Sequence, residues 1–309
     1  MTMLSLVVPV FNEEENIEFL FKKIVEVFTT NNITDYEIIF VDDGSIDNTF
    51  SKTKELSSLN NRVRGVSLSR NFGHQIALFA GIEFSKGDVV ITMDGDMQHP
   101  PEVIPELIRL YKSGFDIVNT KRIDAEGIGF FKKATSKFFY KFINLMSDVY
   151  IEPASSDFRL MSRKAADAFL EMPENDRFTR GLISWMGFRQ AFFEYKANPR
   201  YKGKSKYSVR KMMRFAFDGI TSFSTKPLRV ALYFGFIFFM LGMIYAAYAV
   251  VQYFQGHTIQ GWTSILLSVI ILGSIQLLSI GLLGEYLARI SREAKNRPKY
   301  FVKDITSNG

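Results

Sequence analysis

Along the first 120 residues, apolar and polar positions alternate in blocks that predict strands and helices in turn. Leu4-Ser5-Leu6-Val7-Val8, Tyr36 to Val41, Val63 to Leu68 and Asp88 to Met93 are short and β-rich, with little to mark a solvent face. Between them, apolar residues recur at helical spacing from about Glu14 to Thr29, after Asp47, and from about His74 to Ser85. Strands apolar on both faces and separated by helices belong in a parallel sheet covered on its two sides. The pattern therefore predicts a Rossmann-like α/β domain, whose ligands bind at the carboxyl ends of the strands.

The pattern changes abruptly after that domain. From Val230 to Gly284 there is no Asp, Glu, Lys or Arg, in a chain of which 23% is charged. The block divides at Gln255-Gly256-His257-Thr258-Ile259-Gln260-Gly261 into two stretches, each able to supply the ~20 residues of a bilayer-spanning helix. Two core helices of a soluble domain are the competing reading, but helices apolar all round at this length are seldom soluble core. The predicted organisation is an α/β domain over 1–207, an amphipathic juxtamembrane helix over 208–228, two transmembrane helices over about 229–253 and 262–286, and a basic tail over 289–309. In the juxtamembrane segment Val209, Met212, Met213, Ala216, Phe217 and Ile220 recur at helical spacing, flanked by Arg210, Lys211 and Arg214, as in a helix lying in the membrane interface. Phe130-Phe131, Ala134, Phe138, Phe142 and Leu145 repeat the pattern with interleaved lysines; packing on the globular core and contact with lipid both fit that stretch.

Charge orients the hairpin. Lys226 and Arg229 precede the first span, Arg289, Arg292, Lys295, Arg297 and Lys299 follow the second, and the loop between carries no Lys or Arg. By the positive-inside rule both ends face the cytoplasm, and the start Met1-Thr2-Met3-Leu4 lacks the basic n-region of a secretory signal. The expected location is the cytoplasmic (inner) membrane, with the α/β domain and both termini cytoplasmic. The net charge of +6 is segregated: residues 121–141 carry 6 basic and 2 acidic side chains, 196–229 carry 10 and 1, 285–309 carry 6 and 3, and the remainder 16 and 26. Two of these basic segments flank the spans, which points to anionic lipid head groups; no recognition module accompanies them, so no nucleic-acid partner is expected. The chain has no cysteine, which excludes disulfides, zinc thiolates and a cysteine nucleophile and is compatible with a reducing compartment.

The candidate chemistry lies at the strand ends: Asn12-Glu13 after the first, Asp42-Asp43-Gly44-Ser45 after the second, Arg70-Asn71-Phe72-Gly73 after the third, Asp94-Gly95-Asp96 after the fourth. Any one of these is ordinary turn and cap chemistry, but four at one edge of a sheet describe a site. Neither G-x-G-x-x-G after the first strand nor G-x-x-x-x-G-K-[ST] occurs, so dinucleotide oxidoreductases and P-loop NTPases lose their main support. An acidic pocket that takes a phosphorylated ligand needs a cation, and Mg²⁺ or Mn²⁺ on one or two carboxylates plus substrate phosphates is the economical arrangement. In extended backbone Asp94 and Asp96 would point to the same side, which makes them the predicted metal ligands, with Gln98 as a third oxygen. His74 and His99 lack a partner carboxylate at triad spacing and are expected to serve as hydrogen-bonding or turn residues.

The successive stretches LVVPVFNEEENI, EIIFVDDGSIDNT, LSRNFGHQIALFAGI, MDGDMQHPPEVIP, SSDFRLMSRKA and PRYKGKSKYS resemble the ordered motifs of the family 2, GT-A fold glycosyltransferases. Within that family they resemble the polyprenyl-phosphate glycosyltransferases, the group of dolichyl-phosphate mannose synthase and the bacterial bactoprenol glucosyltransferases, over nearly the whole chain. The resemblance implies a GT-A domain that carries a sugar from a nucleotide-sugar donor to a polyprenyl-phosphate lipid at the membrane. It places Pro9, Phe11, Asn12, Glu13, Asp42 and Asp43 at the nucleoside, with Glu13 toward the ribose and Asp42 toward the base; for Asp42-Asp43-Gly44-Ser45 a plain strand-to-helix turn is the alternative. It sets Gly73 and Gln75 beside the diphosphate, gives Lys121, Arg122, Arg200 and Lys206 to the donor or acceptor phosphates, and puts Asp157 at the base position. Two roles fit Asp157 at that position, taking a proton or orienting basic side chains and the acceptor; a buried Asp simply paired with Arg159 or Arg163 is the alternative. Single displacement would invert the anomeric carbon. UDP-glucose as donor follows from the resemblance alone, since sugar choice rests on pocket shape. A processive polysaccharide synthase would carry a Q-x-x-R-W motif, which Trp185 does not belong to, and a catalytically inactive membrane scaffold would not need Asp94 and Asp96. Gly235, Gly242, Gly273, Gly281 and Gly284 offer close helix approach equally within the hairpin and between copies in a homo-oligomer.

Overall fold

The computed structural model describes residues 2–123, 141, 143–150, 152, 155–174, 178–196, 224–255 and 261–306. The amphipathic segment over 208–228, all but its last residues, and most of the Phe130–Leu145 stretch lie outside them, as do Arg200 and Lys206.

The first half alternates as the hydrophobic blocks predict: β1 (Leu4–Val10), α1 (Ile17–Thr30), β2 (Tyr36–Asp42), α2 (Thr49–Leu59), β3 (Val63–Leu68), α3 (His74–Phe84), β4 (Val89–Thr92) and α4 (Ile104–Lys112). There follow β5 (Ile117–Ile123), β6 (Ser155–Ser162), α5 (Arg163–Glu171), α6 (Thr179–Trp185), β7 (Gln190–Lys196), two long helices α7 (Lys226–Phe254) and α8 (Trp262–Ala294), and β8 (Val302–Ile305). The eight strands form one sheet in the order β7-β5-β6-β4-β1-β2-β3-β8. β6 runs antiparallel to both of its neighbours and β8 antiparallel to β3; the other pairings are parallel.

Side-chain alternation explains why the strands show no polar face. Leu6, Val8, Ile38, Phe40 and Ile91 pack with Leu20, Ile24 and Phe28 of α1 in one core layer. Their neighbours Val7, Ile39, Val41 and Val90 pack in the other with Leu78 and Ile82 of α3 and Ala165 and Phe169 of α5. Both layers are dry, so residues i and i+1 are apolar alike, and each such aliphatic side chain contributes roughly 1.5–3 kcal/mol on burial. From β1 the sheet grows through β2 and β3 on one side and through β4 on the other. The order therefore reverses between β1 and β4, and the loops that leave their carboxyl ends diverge and open a crevice.

The two long helices present their apolar side chains at the surface. Lys226–Gln252 and Ser268–Ala294 are long and apolar enough to cross a bilayer, with mean hydropathy 2.1 and 1.7. The second helix runs beyond residue 286 to Ala294, so it carries Arg289 and Arg292, while Lys295, Arg297 and Lys299 follow it. Both ends of the hairpin are tied to the α/β domain. Lys226 Nζ donates to the carbonyls of Leu145 (3.1 Å) and Ser147 (2.9 Å) and lies 3.1 Å from Asp148. On the other side, β8 closes the free edge of β3. That strand arises within the tail that the sequence pattern assigns only as a basic segment.

Candidate active site

The loop after β1 is held open by Asn12, whose φ of +54° is a left-handed conformation that Asn tolerates better than most residues. Asn12 accepts from Ser45 Oγ at neither of its groups; instead its backbone N–H donates to Ser45 Oγ (2.9 Å) and its side-chain oxygen accepts from the Ile46 amide (3.0 Å). These bonds clamp the loops after β1 and β2 together. Glu13 donates its backbone N–H to Thr49 Oγ1 (2.8 Å) and accepts from the Asn16 amide. Burial pushes its carboxyl above the usual range, against the pull of that hydrogen bond.

After β2 the two aspartates divide their work. Asp42 accepts from the Ser45 amide (2.9 Å) and Ser67 Oγ (2.8 Å): both of its oxygens are engaged, and it holds the turn. Asp43 reaches the other way and accepts from the amides of Phe72 (2.7 Å) and Gly73 (2.9 Å). Burial raises its pKa and the two amides oppose that rise. Gly44 permits this packing, since its φ is +71° and a Cβ there would lie 2.4 Å from the Arg70 carbonyl carbon.

β4 ends at Thr92, so the convergence of Asp94 and Asp96 does not come from strand alternation as the extended reading supposes. It comes from a turn, in which Met97 takes a φ of +64° and Gly95 lies against Val10, 2.7 Å from where a Cβ would sit. Pro9, Phe11, Glu13, Asp43, Gly73, Asp94 and Asp96 line one cavity of about 260 Å³ at this edge. A roomier cavity of about 540 Å³ opens at the opposite end of the sheet, with Asp35 as its one acidic wall; it holds none of the strand-end clusters.

Gln98, the expected third oxygen, is hydrogen-bonded on both sides. Its Oε1 accepts from Arg122 (2.8 Å) and its Nε2 donates to Asp96 Oδ2 (2.7 Å), so it braces Asp96 and steers Arg122. The histidines have the carboxylate partner that sequence spacing hid: Asp94. His99 Nε2 is 3.0 Å from Asp94 Oδ2, and His74 Nε2 is 3.2 Å from Oδ1, an ion-pair distance that does not make a hydrogen bond. Burial alone would lower the His74 pKa, but Asp94 raises it to about 9. Burial likewise opposes ionisation of Asp94, and the two imidazoles overcome it and hold this carboxyl far below the usual range.

Asp157, on β6, lies 3.9 Å from the same Nε2 of His74. It accepts from Gln75 Nε2 (2.9 Å) and from Arg159 (2.9 Å), with Arg180 Nε 3.7 Å away. Arg159 is 1% exposed, and burial pulls its pKa down to about 10. Burial would raise that of Asp157, but Arg180 and Arg159 hold it below the usual range. Lys121 pairs with Glu152 (2.5 Å) over the Phe192 ring, which commits part of the charge that the family resemblance gives to phosphates.

Residues 5–170 match the profile described as Glycosyl transferase family 2, and residues 226–290 match the GtrB C-terminal hairpin. The chain belongs to glycosyl transferase family 2. It is 43% identical over 303 residues to an uncharacterised glycosyltransferase of Synechocystis sp., covering 98% of this chain and 95% of that one. It is 42% identical over 301 residues to the SfII prophage-derived bactoprenol glucosyl transferase of Shigella flexneri, covering 97% of each chain. Among solved structures, glucosyl-3-phosphoglycerate synthase from Mycobacterium tuberculosis with phosphoglyceric acid aligns at a TM-score of 0.47 and 19% identity, covering 72% of this chain and 79% of that one.

In this family 2 glycosyltransferase the α/β domain is GT-A-like and the enzyme class is settled. Whether its acidic turn suits a divalent ion is a matter of its donors. Asp94 Oδ1 is buried without a hydrogen-bond partner, and Asp96 lines the same cavity. Among the described residues no group of three or more metal-ligating side chains gathers. Two carboxylates with room for phosphate and water fit Mg²⁺ or Mn²⁺, which take few protein ligands when a phosphorylated substrate supplies the rest. Sequence reasoning passed over Arg180 and gave His74 and His99 only hydrogen-bonding or turn roles; with Arg159, these residues hold the carboxylates it did find.

Proposed function

We propose that the protein transfers a sugar, glucose from UDP-glucose, to the phosphate of a polyprenol such as undecaprenyl phosphate at the cytoplasmic face of a membrane, with inversion at the anomeric carbon. The observation that carries this reading is the juxtaposition, on one chain, of the acidic strand-end cavity and an apolar hairpin whose two ends are tied to the domain that holds the cavity. The bactoprenol glucosyl transferase relative, similar over the whole length including the hairpin, supports it. With both ends of the hairpin on the catalytic domain, the basic flanks of the spans lie on the domain's side, which supports cytoplasmic termini.

Asp94 and Asp96 would hold Mg²⁺ or Mn²⁺, and the ion would act as a Lewis acid on the departing diphosphate. The chain's own residues do the rest. Asp43 fixes the amides of Phe72 and Gly73 and so shapes the wall where α3 begins. Gln98 holds Arg122 toward the cavity; Arg200 and Lys206, which lie outside the described residues, would join it in guiding the acceptor. The acceptor is a phosphate monoester with a second pKa near 6, so close to pH 7 it is mostly a dianion and needs little help from a base. Asp157, held ionised by two arginines, is a poor proton acceptor; this supports its orienting role, with Gln75 and Arg180 as the groups it orients. Transfer then depends on bringing two anions into line.

The test is to incubate membranes containing the protein with radiolabelled UDP- and GDP-sugars and extract the lipids. Label from UDP-glucose in a polyprenyl-phosphate sugar is expected. Label from another nucleotide sugar alone would correct the donor, and no lipid label from any donor would contradict the proposal.

A further inference from the structure

The chain leaves the second long helix at Ala294 and within a few residues reaches the donor side of the sheet. β8 pairs with β3 through Val66–Ile305, Ser67–Asp304 and Leu68–Val302, with an irregularity between Ser67 and Leu68. The pairing continues past both strand ends: Ser69 N–H donates to the Phe301 carbonyl (2.8 Å), Thr306 N–H to the Gly65 carbonyl (3.0 Å), and Gly65 N–H to Thr306 Oγ1 (3.0 Å). An exposed β3 edge would leave such backbone groups open to water or to another chain, so capping an edge explains the strand itself. It does not explain what the strand carries with it.

Phe301 lies beside Phe72, ring centroids 6.5 Å apart, and the Arg70 guanidinium sits 4.1 Å from the centre of the Phe72 ring. The loop so braced is the one whose Phe72 and Gly73 amides donate to Asp43 and whose Arg70 backbone abuts Gly44. Gly73, at φ +100°, starts the helix that delivers His74 to Asp94 and Gln75 to Asp157. The tail is anchored to that same helix, with Tyr300 Oη donating to Glu83 (2.7 Å) and Lys299 Nζ 4.6 Å from the centre of the Phe79 ring.

We propose that Phe301 is a positioning residue of the nucleotide-sugar site: held beside Phe72 by the pairing of β8 with β3, it sets the Ser69–Gly73 loop and ties that loop mechanically to the end of the second apolar helix. This deepens the function proposed above and rests on the cavity being the donor site. Phe301 is not among the residues that line the cavity; it acts through Phe72.

The test uses the full-length protein in lipid nanodiscs, with Phe301→Ala, the conservative Phe301→Tyr, and Asp304→Ala as a control that breaks the surface pair of Asp304 with Lys54 on the same strand. Equilibrium binding of UDP-glucose, thermal unfolding, and kcat and KM are measured for each. Loss of an aromatic contact of this size corresponds to about a two- to tenfold change in an equilibrium. Phe301→Ala is expected to weaken UDP-glucose binding and raise the donor KM by that factor, with kcat at saturating donor and the KM for undecaprenyl phosphate unchanged; Phe301→Tyr restores both, and Asp304→Ala leaves them at wild type. A Phe301→Ala protein that melts earlier but binds UDP-glucose as wild type does would overturn the inference, as would equal losses in Asp304→Ala. If Phe301→Ala fails to fold, Phe301→Tyr and Phe301→Leu decide the matter by the same ranking. Wild-type protein that binds no UDP-sugar, alone or with Mn²⁺, refutes the proposed function itself, a result distinct from either.

Discussion

Three buried or half-buried carboxylates, Asp94, Asp157 and Asp43, are each held by groups from other elements of the chain. Asp157 shows the consequence most directly, because Arg159 beside it is almost entirely inaccessible and depends on it for a counter-charge. Removing one partner of a buried pair strands the other, at a cost of about 3–5 kcal/mol. Asp157→Asn is therefore expected to lower stability by about that much, read from denaturant unfolding. The pH dependence has a definite sign. The folded pKa of Asp157 lies below its unfolded value of about 3.9, so its contribution is fully present above that value and is lost as pH falls through the folded one. Wild type should lose stability on that acid limb, and Asp157→Asn should show a shallower loss there; identical slopes would contradict the assignment. At this scale the carboxylates were legible from sequence because polar residues that end apolar runs stand out. The pairings of His74 with Asp94 and of Arg180 with Asp157 were not, since each joins positions some twenty apart in the chain that only the fold brings together.

Among the elements, the first four strands and three helices follow from hydrophobic blocks because strands buried on both faces show unbroken apolar runs. β7, which is half exposed, and β8, which is four residues long with mostly exposed side chains, have no such signal; a neighbour's free edge makes them strands. The turns are the elements where conformation and packing can be separated. Gly44 and Gly187 both have positive φ, +71° and +69°, but a Cβ at Gly44 would collide with the Arg70 backbone while one at Gly187 meets nothing within 4 Å. Gly187→Ala should cost only the left-handed penalty, about 1–2 kcal/mol. Gly44→Ala should cost clearly more and should also weaken nucleotide-sugar binding, because Arg70 leads into the Phe72–Gly73 amides. Equal destabilisation of the two variants in thermal unfolding would show that the loops after β2 and β3 are not in contact.

For the whole molecule, the arrangement makes both ends of the hairpin return to one domain. Since the chain contains no cysteine, single introduced cysteines report sidedness without background. In intact cells a cysteine at Thr258 should react with a membrane-impermeant maleimide added outside, and one at Asn308 should react only after permeabilisation. The reverse pattern would refute the orientation. The apolar helical hairpin was legible because a charge-free block of this length is rare in soluble proteins, while the return of the tail to the sheet was not, since its basic composition suits a solvated end equally well.

Central to the proposed function is the acidic turn after β4, proposed to handle the donor diphosphate together with a divalent ion. The direct measurement is the rate at which purified full-length protein transfers sugar from UDP-glucose to undecaprenyl phosphate after exhaustive chelation and after readdition of Mn²⁺ or Mg²⁺, for wild type and for Asp96→Ala. Transfer should vanish on chelation, return with either ion in wild type, and stay absent in Asp96→Ala although that variant remains folded and in the membrane. Undiminished transfer by chelated wild type, or by Asp96→Ala, would contradict it.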